Sequence, residues 1–175
     1  MTETKEKALP KPILDFVDKL SKLEAGDRAR LKRNAGNRLT ESNRAMGLFY
    51  NKLLPYSVRE FDEEWYFLVA TLYPLEKETS GTPPPNFGSS LRQVRTDKNS
   101  SGLDRRVERL LDADEQQLPF HLRQAIHFLT SNRGRVRWGQ LLEDVLHWSA
   151  PSRYVQRRWA RAYFANEQTV QNQSD

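Results

Sequence analysis

The chain has 175 residues and a net charge of +5, from 28 Lys+Arg against 23 Asp+Glu, with 4 Trp, 8 Phe and no cysteine. It is long enough to bury a core as one domain or two small ones, and its positive balance points to a polyanionic partner more than to a small molecule. Disulfides, thiolate nucleophiles and Cys-based zinc or iron–sulfur centres are excluded, and no stretch has the apolar length of a signal peptide or membrane span, which implies a cytoplasmic protein.

Residues 1–9 are charged and poor in apolar side chains, and read as a flexible tail. Pro12 suits the first turn of a helix, in which Ile13, Phe16, Val17, Leu20 and Leu23 recur at three- and four-residue spacing. A basic block bracketed by glycines follows, Gly26-Asp27-Arg28-Ala29-Arg30-Leu31-Lys32-Arg33-Asn34-Ala35-Gly36. Asp27 is placed to start a short helix and Gly36 to end it in the left-handed conformation. Leu31 and Ala35 then share an inward side, while Arg30, Lys32 and Arg33 point outward. The bland alternative for such a run is a solvated helix face.

Residues 43–54 resume the helical pattern, with Met46, Phe49, Tyr50, Leu53 and Leu54 on one face, and Pro55 ends it. Residues 65–73 are nearly all apolar. The carboxylates of Asp62-Glu63-Glu64 in front of them, and the want of a second strand-like run to pair with, favour a buried helix over a buried strand. Residues 77–86, with Gly81 and the run Pro83-Pro84-Pro85, read as a stiff linker and domain boundary.

Asn86 caps a short helix containing Phe87, Leu91 and Val94, and residues 96–102 form a polar loop. Residues 103–113 are helical, with Leu103, Val107, Leu110 and Leu111 on one side and Arg105, Arg106 and Arg109 on the other. Asp114 begins a longer helix whose face holds Leu118, Leu122, Ile126 and Leu129, with Pro119 in its first turn. The turn Arg133-Gly134-Arg135 leads into residues 138–148, where Leu141, Leu142, Val145 and Leu146 are the apolar set. A last helix after Pro151-Ser152 turns Val155, Trp159, Ala162 and Tyr163 inward and Arg153, Arg157 and Arg161 outward. The expected fold is all-α, eight or nine short helices in two helical bundles. Residues 1–9 and 167–175 are tails, 10–85 the N-terminal bundle and 86–166 the C-terminal one.

Catalytic chemistry finds little to hold it. His121, His127 and His147 do not share a metal-binding face and read as structural or surface histidines. Glu143-Asp144 and the Asp112/Asp114 pair sit at exposed helix or cap positions, where solvation accounts for them. There is no Gly-rich phosphate loop, and Ser89 and Ser90 lack His or Asp partners at a motif spacing. No enzymatic activity, metal or cofactor is expected. Trp65, Trp138, Trp148 and Trp159 lie in apolar stripes and read as core, with base stacking as the alternative. What recurs is a short helix with apolar residues inward and arginines outward, the fixed fork of which suits phosphate.

The order and spacing of several segments resemble the small-subunit, or CasB, family of the type I-E CRISPR surveillance complex Cascade. The carriers are Gly26-Asp27-Arg28-Ala29-Arg30-Leu31-Lys32-Arg33, Phe49-Tyr50 with Leu54-Pro55, Asn86-Phe87-Gly88-Ser89-Ser90-Leu91, Arg105-Arg106 through Asp114, Leu122-Arg123, Trp138 through Asp144, and Trp159-Ala160. The resemblance spans residues 16–164. It implies a non-catalytic, two-domain helical subunit that meets CRISPR RNA and target DNA, chiefly the displaced strand of the R-loop, beside other Cascade subunits and a second copy of itself. The nucleic-acid-binding residues expected on this basis are Arg30, Lys32, Arg33, Arg105, Arg106, Arg109, Arg123, Arg137, Arg157 and Arg161. Two other classes stay open: a free-standing helical DNA-binding regulator, which needs side chains that read base edges, and a structural adaptor without nucleic-acid contact.

Overall fold

Among the described residues nine helices follow one another: α1 (Lys11–Ser21), α2 (Ala25–Lys32), α3 (Met46–Leu48), α4 (Glu63–Leu72), α5 (Phe87–Gln93), α6 (Ser100–Asp112), α7 (Leu118–Ser131), α8 (Trp138–Leu146) and α9 (Tyr154–Phe164). These elements, with short 3₁₀ turns between them and no strand, make an all-α fold in the computed structural model, which describes residues 7–77 and 80–165. Residues 1–6 and 167–175 of the expected tails lie outside the described residues.

Helix α4 is apolar all round because it is enclosed all round. Every residue from Tyr66 to Leu72 is buried, as a helix at the centre of a core must be. Glu63 and Glu64 occupy its first turn, where the helix dipole favours carboxylates. Around it α1 and α4 pack on α8, α2 packs on α4, α5 lies along α9, and α6 lies along α7. The buried side chains form one continuous cluster from Ile13 to Tyr163.

Two groups of helices result, α1 to α4 with α8, and α5, α6, α7 and α9. The grouping therefore crosses residue 85, since α8 follows the proline run in sequence and yet sits with the N-terminal helices. Glu76 explains why. Its carboxylate accepts from Arg135 Nε at 2.9 Å, from the Val136 amide at 2.9 Å and from Trp138 Nε1 at 2.8 Å, which anchors the start of α8 to the end of α4. Leu9, assigned to the tail on composition, packs half-buried against the core. A Cβ at Gly139 would lie 2.7 Å from Leu9 Cδ1, so the glycine is what lets the two approach.

Several helices differ from expectation, α7 among them, which begins at Leu118 rather than at Asp114. α2 begins at Ala25 rather than at Asp27, because Asp27 is used sideways, in an ion pair with Lys52 at 2.8 Å. α3 widens into a π-helical turn over Phe49–Leu53, closed by a bond from the Leu54 amide to the Phe49 carbonyl at 2.8 Å. That wider turn shifts the phase of the apolar face: Leu48, Phe49 and Leu53 are buried, and Met46 and Tyr50, expected inside, are each 46% exposed. α6 begins at Ser100, inside the expected loop, because Asn99 closes the preceding turn by accepting from the Thr96 amide and donating to the Val94 carbonyl.

Candidate nucleic-acid interface

The basic block is built on three neutral residues. Leu31 is fully buried, and Asn34, also fully buried, donates through Nδ2 to the carbonyls of Arg30 and Asn43 and accepts the Asn43 amide at 2.8 Å. Gly36 ends the block at φ +83° and donates its amide to Thr71 Oγ1 of α4. A Cβ there would stand 2.8 Å from Arg123 Cδ, so the end of the α2 segment lies directly on the stem of an arginine from α7. The contact brings Lys32 and Arg123, 91 positions apart in sequence, to one place.

That place is a pair of adjoining hollows. One, of about 110 Å³, is lined by Lys32, Leu75, Lys77, His127, Thr130 and Ser131. The other, of about 400 Å³, is lined by Arg106, Phe120, Arg123, Gln124, His127, Phe128 and Ser131. His127 and Ser131 belong to both. Partial burial, then the Arg123 and Lys32 charges, push the His127 imidazole below its ordinary 6.5. The Arg106 guanidinium rests 5.5 Å from the Phe128 ring centroid, which steers it along the cleft.

Of the expected binding residues, Lys32, Arg106 and Arg123 thus meet in one cleft. Arg30 belongs to a different hollow, beside Arg44 and Lys52. Arg33, Arg105, Arg109, Arg157 and Arg161 are exposed on their helices and line neither part of the cleft. Arg137 is half-buried and donates to the Pro84 carbonyl at 3.2 Å and the Pro83 carbonyl at 3.0 Å, so it fastens the proline run. Arg135 does the same at the Ser80 and Gly81 carbonyls.

Among the described residues, Lys32, Lys77, Arg106 and Arg123 form no ion pair, whereas Arg59, Arg95, Arg135 and Arg158 each hold a carboxylate. The expected binding residues do not include Lys77, which falls in a segment read as linker, or His127, read as a structural or surface histidine. A signal for His127 existed: it stands four residues after Arg123 and shares its helix face.

Among the described residues no cluster of three or more His, Cys, Asp or Glu side chains could hold a metal ion, and no helix is long and apolar enough to cross a membrane. Asp144, read as exposed, is instead 1% exposed. It follows Leu141 by three residues, which turns it to the inner face of α8, where it accepts from Gln140, Arg158 and Trp159. Burial raises its pKa from 3.8, and the bonds from Trp159, Arg158 and Gln140 offset part of that. Its partners are structural. Trp138, Trp148 and Trp159 are buried, as expected, and Trp65 is half-buried beside the core.

Comparison with known proteins bears on the family and the fold. Residues 27–164 match the family model for the CRISPR-associated protein Cse2. The chain is 35% identical over 108 residues to a CRISPR-associated protein Cse2 of Thermus thermophilus, a match spanning 61% of this chain and 59% of that protein's length. It superposes on the crystal structure of M. ruber CasB with a TM-score of 0.75 and 26% identity, covering 94% of this chain and 98% of that one. It also shares the fold of a chain of a CRISPR RNA-guided surveillance complex, with a TM-score of 0.73 and 24% identity over 93% and 97% of the two chains. With a family match running from the basic block of α2 to the last residue of α9, the chain belongs to the CRISPR-associated Cse2 family.

Proposed function

We propose that this chain is a non-catalytic small subunit of a cytoplasmic CRISPR RNA-guided surveillance complex of the Cascade kind. In it the Lys32/Lys77/Arg106/Arg123 cleft grips the sugar–phosphate backbone of nucleic acid, chiefly the displaced DNA strand, and so stabilises the R-loop. The observation that carries the reading is the convergence on one cleft of cations without ion pairs from α2, the segment after α4, α6 and α7. Arginine and lysine there release counterions on meeting phosphate, which binds without reading sequence. Sequence recognition in guided complexes belongs to base pairing, so a protein that supplies only a positive channel suffices. Family membership and the fold shared with a chain of a surveillance complex support a setting among neighbouring subunits; CRISPR RNA and a second copy of the chain are further partners in this proposal.

The test is nucleic-acid affinity measured at several salt concentrations, with wild type and Arg123→Ala. Binding falls steeply with salt and shows no sequence preference, and the variant loses about one unit of the logarithmic salt slope. Sequence-selective binding favours the free-standing regulator, and no binding by chain or assembled complex favours the adaptor.

A further inference from the structure

We propose that the hollow between α6 and α7 takes an unpaired nucleobase, stacked on Phe120, while Arg106, Arg123 and His127 hold the phosphates on either side; this rests on the nucleic-acid reading above and names the form of nucleic acid bound. Phe120 is 57% exposed, and the residues around it on α7 show that the fold does not use it: Leu118 and Leu122 are fully buried and Pro119 shapes the first turn. The neighbouring His121 meets it edge-on, with ring centroids 5.3 Å apart, and leaves the Phe120 ring in contact with the cleft.

Phe120, Arg123, Gln124 and His127 stand at the spacing of one helix face, so the aromatic ring and the cations follow one another along a single line on α7. An aromatic platform beside a line of phosphate-binding groups is the arrangement by which proteins hold single strands without reading sequence, because every base offers a π face. A duplex keeps its bases stacked inside and leaves Phe120 nothing to stack on. The Gln124 amide adds a donor and an acceptor at the edge of the same hollow. The cleft therefore gains affinity for unpaired bases beyond what its charges supply.

The experiment compares three labelled probes of equal length, a thymidine strand, an abasic strand with the same phosphates, and a duplex, each against the full chain by fluorescence anisotropy. Wild type binds the thymidine strand roughly 5- to 100-fold more tightly than the abasic one. Phe120→Leu erases that preference and leaves abasic and duplex binding unchanged, Phe120→Trp keeps it, and Arg123→Glu weakens all three probes. Equal binding of thymidine and abasic strands by wild type, or a preference that survives in Phe120→Leu, overturns the stacking site. If Arg123→Glu still weakens every probe in that case, the phosphate cleft stands without it. Should wild type bind none of the probes, either as the chain alone or in the assembled complex, the nucleic-acid reading falls and the stacking site with it.

Discussion

Trp159 Nε1 donates to Asp144 Oδ2 at 2.7 Å, and this one bond joins the buried face of α9 to a buried carboxylate of α8. Trp159 is 1% exposed and its ring meets Phe87 of α5 and Trp148, each about 5.2 Å away between centroids. The two helical groups are coupled here through side chains that neither could leave exposed cheaply.

Trp159→Ala is therefore expected to cost about 3–5 kcal/mol, the usual penalty for truncating a large buried aromatic. Asp144→Ala leaves the indole N–H without an acceptor and costs about 1–3 kcal/mol. The double variant loses less than the sum, since both changes delete one shared bond. Denaturant unfolding of the three variants measures the coupling, and strict additivity would contradict it.

Gly88→Ala tests the α5–α9 contact. A Cβ on Gly88 would stand 2.3 Å from the Trp159 carbonyl oxygen, a backbone atom that cannot swing away, so the helices must separate. The expected loss is about 1–3 kcal/mol, with nucleic-acid affinity unchanged in the folded fraction. A melting temperature equal to wild type would mean that the two helices are not held this close.

Two carboxylates give opposite pH dependences. The Asp104 pKa is lowered below 3.8 by the bonds it accepts from Arg95 and from the Tyr163 hydroxyl. Its contribution to stability is present above the unfolded pKa and lost as pH falls through the folded one. Asp144, raised by burial, contributes stability that is present below its unfolded pKa and declines as pH rises through the folded one. Compared with wild type across the acid range, Asp104→Asn flattens the loss of stability on acidification. Asp144→Asn removes a decline that runs the other way. Unfolding curves at a series of pH values decide both signs.

His127 makes binding pH-dependent. Arg123 and Lys32 help to hold it neutral in the free protein, and a phosphate in the cleft offsets those charges and favours its protonation. Binding then takes up a proton, so affinity rises as pH falls towards the lowered range in which the free imidazole protonates, and His127→Gln removes most of that rise. Affinity measured over a series of pH values at constant ionic strength is the check.

Charge reversal separates the cleft from the other arginines. Lys32→Glu and Arg123→Glu each weaken nucleic-acid binding more than Arg157→Glu does, because Arg157 lines neither part of the cleft. Each replaces an attraction for phosphate with a repulsion. Thermal stability is expected to stay within about 0.5 kcal/mol of wild type for exposed side chains. Equal losses from all three would spread the interface over the whole basic surface.

Periodicity carried most of the secondary structure. The apolar stripes of α1, α6, α7 and α9 are buried where their spacing put them, since a helix that buries a stripe must repeat it every three or four residues. The same logic read α4 as helix from its apolar run and the acidic residues before it. It failed at α3, where a single wider turn rotated Met46 and Tyr50 outward, because a phase change of that kind leaves no mark in an alternation of apolar and polar residues.

The amino-acid sequence by itself determined the all-α class, the outward placing of the arginines on α2, α6 and α9, the burial of Trp138, Trp148 and Trp159, and the family to which the order of motifs belongs. Only the tertiary structure decided which cations meet. Arg137 and Arg123 are both expected binding residues, yet one donates to proline carbonyls and the other faces an open cleft. Lys32 and Arg123 come to adjoining hollows because Gly36, having no side chain, lets the two segments touch. Helical periodicity reports which side of one helix faces the core, and it carries no information about which other helix lies beside it, because that is set by contacts between residues far apart in the chain.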